Sequence, residues 1–142
     1  MSIDPVSISR SALDVEWQRL QIISQNLANE NTTRVGSGGA YRPLELLSGP
    51  QGGFADMVGA HHVRDPQGVM VLGVQERADA ARQVYDPGHP DADANGFVYY
   101  PAVDHAQEMA GLVKTARVYE SNMTVMSLAQ QMTMRALEIG KR

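Results

Sequence analysis

Glycine and proline are concentrated in the middle of this chain. Of its thirteen glycines and seven prolines, only two glycines and one proline lie outside the stretch from Arg34 to Ala102. Both residue types interrupt regular helices. Each end of the chain can therefore form one long helix, and the sequence predicts two helical arms, Pro5 to Asn31 and Asp104 to Gly140.

The ends of both arms carry local signals. Asp4 followed by Pro5 is typical of a helix start, since the side chain caps free amides and proline lacks the N–H that a first helical residue leaves unpaired. Asp104 and Gln107 have the spacing of a capping box, and Gly140 is a good helix stop.

Each arm carries apolar residues in two columns with a spacing of seven. The second column lies two residues after the first, which is about 200° around the helix. In the first arm, the first column is Val6, Leu13, Leu20 and Leu27, and the second column is Ile8, Val15 and Ile22. In the last arm, the first column is Met109, Ala116, Met123 and Leu137, and the second column is Val118, Val125, Met132 and Ile139.

A helix with two apolar sides must be covered from both sides, whereas a helix in a self-contained globule needs one apolar stripe. Seven-residue spacing favours coiled-coil packing. The alternative is a two-helix hairpin whose second columns are covered by the middle of the chain. We favour a subunit of an assembly, because the middle is poor in large apolar residues.

Composition excludes several functions. The chain has 142 residues, twelve basic and sixteen acidic, with a net charge of −4 and no cysteine. It has no basic cluster of the kind that nucleic acid binding requires, no apolar run long enough to span a membrane, and no pattern of a cleavable signal. Disulfides are excluded, and the redox compartment stays open.

The middle is expected to form a small, irregular β element with long loops. Turns are expected at Gly49 to Gly53, at Asp65-Pro66 and at Asp86-Pro87-Gly88, the last of type II. Gln75 to Arg82 fits a short helix or an extended connector equally well. The predicted strands are Tyr41 to Leu47, Val69 to Val74 and Phe97 to Tyr100.

The most site-like stretch begins at Asp91. Asp91, Asp93, Asn95 and Gly96 reproduce the first half of an EF-hand calcium loop, but Ala102 stands where the closing glutamate is needed. We expect these side chains to form local turns with backbone amides instead.

A zinc site has little support. Adjacent residues such as His61 and His62 point apart on a strand, and His89 has no ligand pair at a useful spacing. His105 and Glu108 share a helix face, which is common on solvated helices. No nucleophile elbow or phosphate loop is present, so we expect no enzyme activity and no cofactor.

Three asparagines, Asn26, Asn29 and Asn31, crowd the end of the first arm. They indicate either a capped, frayed helix end or a polar surface whose amides bind the backbones of neighbours.

Three segments of the chain resemble the flagellar basal-body rod proteins, and among them the FlgC type of the proximal rod. Asn26-Leu27-Ala28-Asn29 with Thr32 matches a general rod and hook signature. The segment that separates the FlgC type from its relatives is Tyr85-Asp86-Pro87-Gly88-His89-Pro90-Asp91-Ala92-Asp93, followed by Pro101-Ala102-Val103. A third match is Ala116-Arg117-Val118-Tyr119-Glu120-Ser121-Asn122, leading to Ala136-Leu137-Glu138-Ile139-Gly140.

The resemblance implies a mainly α fold, with the terminal helices packed as a coiled-coil-like hairpin around an irregular middle. The expected domains are an N-terminal rod helix in residues 1–33, a middle segment of short strands and loops in residues 34–103, and a C-terminal rod helix in residues 104–142. The expected assembly contacts are Leu13, Leu20, Leu27, Val118, Met123, Val125, Met132 and Leu137, with Asn26, Asn29 and Asn122 as polar contacts.

The resemblance also implies a structural subunit of the rod in the periplasm that transmits torque and lines an export channel. It would leave the cell through the flagellar type III apparatus, and its partners would be other rod proteins and copies of itself. The alternatives are another axial subunit of the rod and hook family, a calcium-binding module and a metal hydrolase.

Overall fold

A computed structural model describes residues 5–34, 38–51, 68–78 and 81–140. Two long helices flank two antiparallel strand pairs, so the prediction of a mainly α fold with a small β middle is confirmed. The elements are α1 (Pro5–Ala28), β1 (Leu44–Pro50), β2 (Val69–Glu76), β3 (Arg82–Tyr85), β4 (Phe97–Tyr100) and α2 (His105–Ile139).

Both ends of α2 lie where the sequence predicts them. The Asp104 carboxylate accepts hydrogen bonds from the amides of Ala106, at 2.9 Å, and Gln107, at 3.1 Å. The helix ends before Gly140, which keeps a right-handed conformation (φ −72°). Helix α1 ends three residues earlier than predicted, in a turn closed by the Asn29 amide. The predicted cap Asp4 lies outside the described residues.

The two helices pack antiparallel. Contacts join the end of α1 to the start of α2 at Asn26 and Glu108, and then continue through Ile23 against Gly111. At Gly111 the two helices lie in ordinary van der Waals contact, since a Cβ there would lie 3.5 Å from the Ile23 methyl group. This contact covers one side of α1.

The first strand pair covers a second side of α1. The Ser11 hydroxyl accepts a hydrogen bond from the Val69 amide at 3.1 Å, and the Arg19 guanidinium donates to the Leu46 carbonyl and the Ser48 hydroxyl. Val15, one turn from both Ser11 and Arg19, is 4% exposed. The second apolar column of α1 therefore lies against β1 and β2.

Strands β1 and β2 pair from Leu44 opposite Glu76 to Pro50 opposite Val69, with a shift in register after Leu47. The predicted turn at Gly49 to Gly53 is wrong for the residues that the structure describes, because Gly49 and Pro50 belong to β1 and Gln51 continues the hydrogen bonding. Proline is tolerated here because it ends an edge strand. The predicted turn at Asp65-Pro66 lies outside the described residues.

The second strand pair joins β3, which the sequence did not predict, to β4, which begins and ends as predicted. Val98 in β4 is fully buried. In the stretch from Gln75 to Arg82, which the sequence left open, Gln75 and Glu76 end β2 and Arg82 begins β3, and the described residues between them form an irregular connection without a helix.

A buried amide joins three of these elements. Asn26, 1% exposed, donates to the Leu44 carbonyl at 2.9 Å and to the Glu108 carboxylate at 3.4 Å, and its oxygen accepts from the Leu44 amide and the Tyr41 hydroxyl. Its two bonds to Leu44 imitate those of a neighbouring strand. Glu108 also accepts from Arg77 at 2.7 Å. The end of α1, the start of β1 and the start of α2 are therefore held together by one side chain.

Replacing Asn26 by alanine is expected to lower the free energy of unfolding by about 2–4 kcal/mol, because buried partners lose their hydrogen bonds. Asn29→Ala is the matched control, since among the described residues that side-chain amide binds only the local Gln25 carbonyl and the Thr32 hydroxyl. Denaturant unfolding followed by circular dichroism measures both. Equal losses in the two variants would contradict a joining role for Asn26.

Burial and the nearby Glu108 carboxylate raise the pKa of Tyr41 above its ordinary 10.0, partly offset by Arg77. The folded state thus holds the phenol proton more tightly than the unfolded state. This contribution is present below about pH 10 and is lost as the pH rises further. We expect Tyr41→Phe to lower stability at neutral pH but to reduce its fall above about pH 10. Denaturant unfolding across this pH range tests it, with exposed Tyr85→Phe as the control.

Candidate assembly surfaces

Both apolar columns of α2 are open to solvent. In the second column the exposed fraction rises from 39% at Val118 through 50% at Val125 and 63% at Met132 to 76% at Ile139. In the first column, Met109, Met123 and Leu137 are 41%, 49% and 64% exposed. Among the described residues, the middle of the chain therefore does not cover the second column of α2, whereas it does cover that of α1.

The last turns of α2 have no cover at all. Every residue from Gln130 to Ile139 is exposed, including Met132, Met134 and Leu137. At about 1.5 Å per residue, the 35 residues of α2 span about 52 Å and the 24 residues of α1 about 36 Å. Helix α1 is too short to cover the whole of α2.

The predicted contact residues of α1 differ from those of α2. Leu13, Leu20 and Leu27 are half-buried, and the helix lies between α2 on one side and the β1–β2 pair on another. Trp17 is the large apolar residue of α1 that is most exposed, at 54%, and its ring lies 6.4 Å from that of Tyr119 on α2. The free apolar surface of the helix pair thus lies mainly on α2.

The three asparagines predicted as polar assembly contacts, Asn26, Asn29 and Asn122, differ in how far they are buried. Asn26 is buried and binds the backbone of its own chain, so the expected amide-to-backbone chemistry is present but is internal. Asn29 and Asn122 are partly exposed, and both can reach a neighbouring chain.

A second apolar surface lies on the β1–β2 pair, which sequence reasoning did not single out. Leu47, Met70, Leu72 and Val74 are each more than a third exposed. The signal in the sequence is the absence of any charged residue from Val69 to Gln75. Natural edge strands usually carry charges that prevent pairing with other chains.

The loop from Tyr85 to Asp93 begins at the last residue of β3 and leads toward β4. It is stabilised by hydrogen bonds between side chains and backbone. The Asp86 carboxylate accepts from the Gly88 amide, and the Asp86 carbonyl accepts from the His89 amide at 3.2 Å. Gly88 lacks the positive φ of a type II turn, so that predicted turn type is wrong. The turn at Pro87 uses the Asp86 carboxylate instead of a left-handed glycine. His89 accepts a hydrogen bond from the amide that follows Pro90.

Left-handed glycine geometry occurs at the other end of this loop. Gly96 has φ +80°, and a Cβ there would lie 3.0 Å from the Tyr85 ring and 3.2 Å from Pro87. The Tyr85 ring packs edge-on against Phe97, with centroids 5.4 Å apart. The loop is therefore closed against its own strands.

The carboxylates of the calcium-like pattern are already bonded within the chain. Asp93 accepts from the amides of Asn95 and Phe97 at 2.8 and 2.9 Å, as the local-turn interpretation predicts. Asp91 accepts from the Thr33 hydroxyl at 2.7 Å and lies 3.5 Å from the Arg34 guanidinium. These contacts anchor the loop to the segment that follows α1.

The two histidines that the structure describes also have partners within the chain. His89 binds the Asp91 amide, and His105 lies 2.7 Å from the Glu30 carboxylate. His61 and His62 lie outside the described residues. Within the described ranges, no three side chains of His, Asp or Glu are placed to share a metal ion, and none of the helices described has the length and hydropathy to cross a membrane.

The chain is similar to known rod proteins along nearly its whole length. Residues 94–139 match the model of the flagellar basal body rod FlgEFG protein C-terminal family. Three relatives are each named flagellar basal-body rod protein FlgC. The relative from Bacillus subtilis is 37% identical to this chain, and the match covers 96% of both chains. The relatives from Borreliella burgdorferi and Salmonella typhimurium are 30% and 32% identical, and each match covers 94% of both chains. With this identity over almost the full length, the chain belongs to the FlgC family of flagellar basal-body rod proteins.

Proposed function

We propose that the chain builds the proximal part of the rod through the two exposed columns of α2. Its family is structural and non-enzymatic, and the chain is a structural subunit of the flagellar basal-body rod. The single observation that supports this use of α2 is the exposure of both columns along a helix whose partner helix ends well before it does.

The proposed contact is coiled-coil-like packing of α2 against helices of neighbouring subunits. Val118, Val125 and Met132 would be buried on one side, and Met123 and Leu137 on the other. Burying a large apolar side chain contributes about 1.5–3 kcal/mol, so each column of three or four residues supplies a large favourable term toward packing on a neighbour. Leu13, Leu20 and Leu27 support this contact indirectly by holding α1 on α2, with Asn29 and Asn122 as polar contacts at its edge.

We also propose that the rod containing this subunit crosses the periplasm, transmits torque and surrounds an export channel, and that the chain reaches it through the type III apparatus. Long helices packed against neighbours resist twisting. The loop from Tyr85 to Asp93 is closed by its own hydrogen bonds and anchored at Thr33, which suits a rigid contact with an adjacent rod protein.

An aspartate in the second column should prevent assembly. Val125→Asp places a carboxylate in the proposed contact, where an uncompensated buried charge costs about 3–5 kcal/mol. Thr124→Asp is the matched control, because Thr124 lies between the columns, away from α1. Both genes are introduced into a strain that lacks its own FlgC-family gene, and swimming and isolated basal bodies are scored.

We expect rods and motility with Thr124→Asp and neither with Val125→Asp. Export of each chain is measured separately, so that a failure to leave the cell is not taken for a failure to assemble. Normal rods built from Val125→Asp would show that the second column is not an assembly contact.

The exposed end of α2 should be the least protected part of the helix before assembly. In hydrogen exchange on the free chain, we expect amides of residues 130–139 to exchange at least about 10-fold faster than those of 108–126, which pack on α1. Uniform protection along α2 would contradict this expectation and would favour a helix that is stable without neighbours.

A further inference from the structure

Sulfur in this chain occurs only in methionine side chains. The sequence has eight methionines and no cysteine, and six of the methionines lie within the described ranges. Four of those six are exposed on α2, with exposed fractions between 41% and 63%. We call them the exposed methionine set; its members are Met109, Met123, Met132 and Met134.

The set lies within the proposed assembly contact. Met109 and Met123 belong to the first column of α2, and Met132 belongs to the second. Met134 follows Met123 by eleven residues, which is about 20° around the helix, so it borders the first column. Each member is therefore accessible to solvent in the free chain and would be covered when α2 packs against a neighbour.

A fifth methionine of α2 provides an internal comparison. Met126 follows Glu108 by eighteen residues, about five full turns, so the two residues share one side of the helix. Glu108 contacts Asn26 of α1, and Met126 is half-buried. Met126 thus lies on the side of α2 that packs on α1, away from both columns.

The thioether of methionine reacts with two-electron oxidants such as hypochlorous acid. In the net step the sulfur gains an S–O bond and loses two electrons, the O–Cl bond breaks, and chloride and a proton are released. Thiols compete for such oxidants, and this chain has none. The product, methionine sulfoxide, is polar, and reductases return it to the thioether.

This inference rests on the proposed assembly role of α2. We infer that the exposed methionine set is a site of reversible oxidation, and that oxidation there keeps the chain out of the rod. A sulfoxide in either column places a strong dipole in an otherwise apolar contact, and burying a polar group without a hydrogen bond opposes packing. Reduction restores the apolar surface, and chains already in the rod are shielded by their neighbours.

Accessibility is tested first on the free chain. The purified chain is treated with a limiting amount of hypochlorous acid, the reaction is stopped with free methionine, and peptide mass spectrometry measures sulfoxide at each position. We expect the members of the set to oxidise at least about 5-fold faster than Met126. Equal rates at Met126 and in the set would overturn the inference, because packing on α1 would then give no protection.

The effect on assembly is tested with a form that lacks the reactive sulfurs. Leucine replaces each member of the set, because it is apolar, similar to methionine in volume and already present at Leu137 of the first column. A control form loses two methionines outside the set. The leucine form carries Met109→Leu, Met123→Leu, Met132→Leu and Met134→Leu, and the control form carries Met70→Leu and Met126→Leu.

Each form is made in a strain that lacks methionine sulfoxide reductase activity and its own FlgC-family gene. The other rod genes are induced only after a pulse of hypochlorous acid, so their products are not oxidised. Basal bodies with rods are then counted. We expect the pulse to lower the count at least about 3-fold for the unaltered chain and for the control form, and to leave it unchanged for the leucine form.

Expression of the reductase after the pulse should restore rods built from the unaltered chain. An equal loss of rods for the leucine form and the unaltered chain would overturn the inference, since oxidation of the set would then not be the cause.

A second pair of variants covers the case in which the leucine form builds no rods even without oxidant. Glutamine is close to methionine sulfoxide in length and polarity, so Met123→Gln combined with Met134→Gln imitates oxidation of the first column. Thr124→Gln is the control, because Thr124 lies between the columns. We expect fewer rods from the double variant than from the control without any oxidant, and equal numbers would overturn the inference.

Failure of this inference can be told apart from failure of the proposed function. If Val125→Asp prevents rod formation while the leucine form is no more resistant than the unaltered chain, the proposed function of α2 stands and only the oxidation site is wrong. Normal rods built from Val125→Asp would contradict the proposed function and, with it, the premise of this inference.

Discussion

The structure depends on the difference in length between the two helices. Helix α2 has 35 residues, whereas α1 has 24. Among the described residues of α2, Ala129 is the last that is buried, and every residue from Gln130 to Ile139 is exposed. Among the described residues the buried apolar core is small, with Val15, Leu46, Val98 and Ala129 as its most enclosed members. A chain of this design gains most of its remaining apolar burial from neighbours.

The internal contacts are consistent with this division of roles. Polar side chains dominate where α1 meets the rest of the chain: Asn26 binds Leu44 and Glu108, Arg19 binds β1, and Ser11 binds the start of β2. Hydrogen bonds depend on direction and distance, so they fix the positions of elements more sharply than apolar packing does. The middle of the chain is thus held at a defined place on α1, while the apolar columns of α2 are left free.

The sequence predicted the long helices, the capping of α2 by Asp104 and the exposure of the second column of α2, because these follow from periodicity and local signals. It treated the two arms alike, and here it was incomplete. The columns of α1 look the same as those of α2, but one is covered by strands that are distant in the sequence. Periodicity shows that a face is apolar; it does not show what lies against that face.

The middle was harder to predict for the same reason. Gly49 and Pro50 carry strong turn signals, yet the register with β2 includes them in a strand. Strand β3 begins with two polar residues, Arg82 and Gln83, so it lacks the apolar and aromatic run that marks β4. The turn at Pro87 is closed by the Asp86 carboxylate, a choice that composition alone leaves open. Long-range pairing decided each of these cases.

The two exposed columns of α2 connect the fold to the growth of an assembly. Helix α1 lies on one side of α2, and the two columns flank it, so each column can meet a different neighbour. A subunit with two unlike and complementary sides adds to a growing structure in one direction and leaves the same surface free after each addition. Two copies with identical sides would instead close on each other and stop.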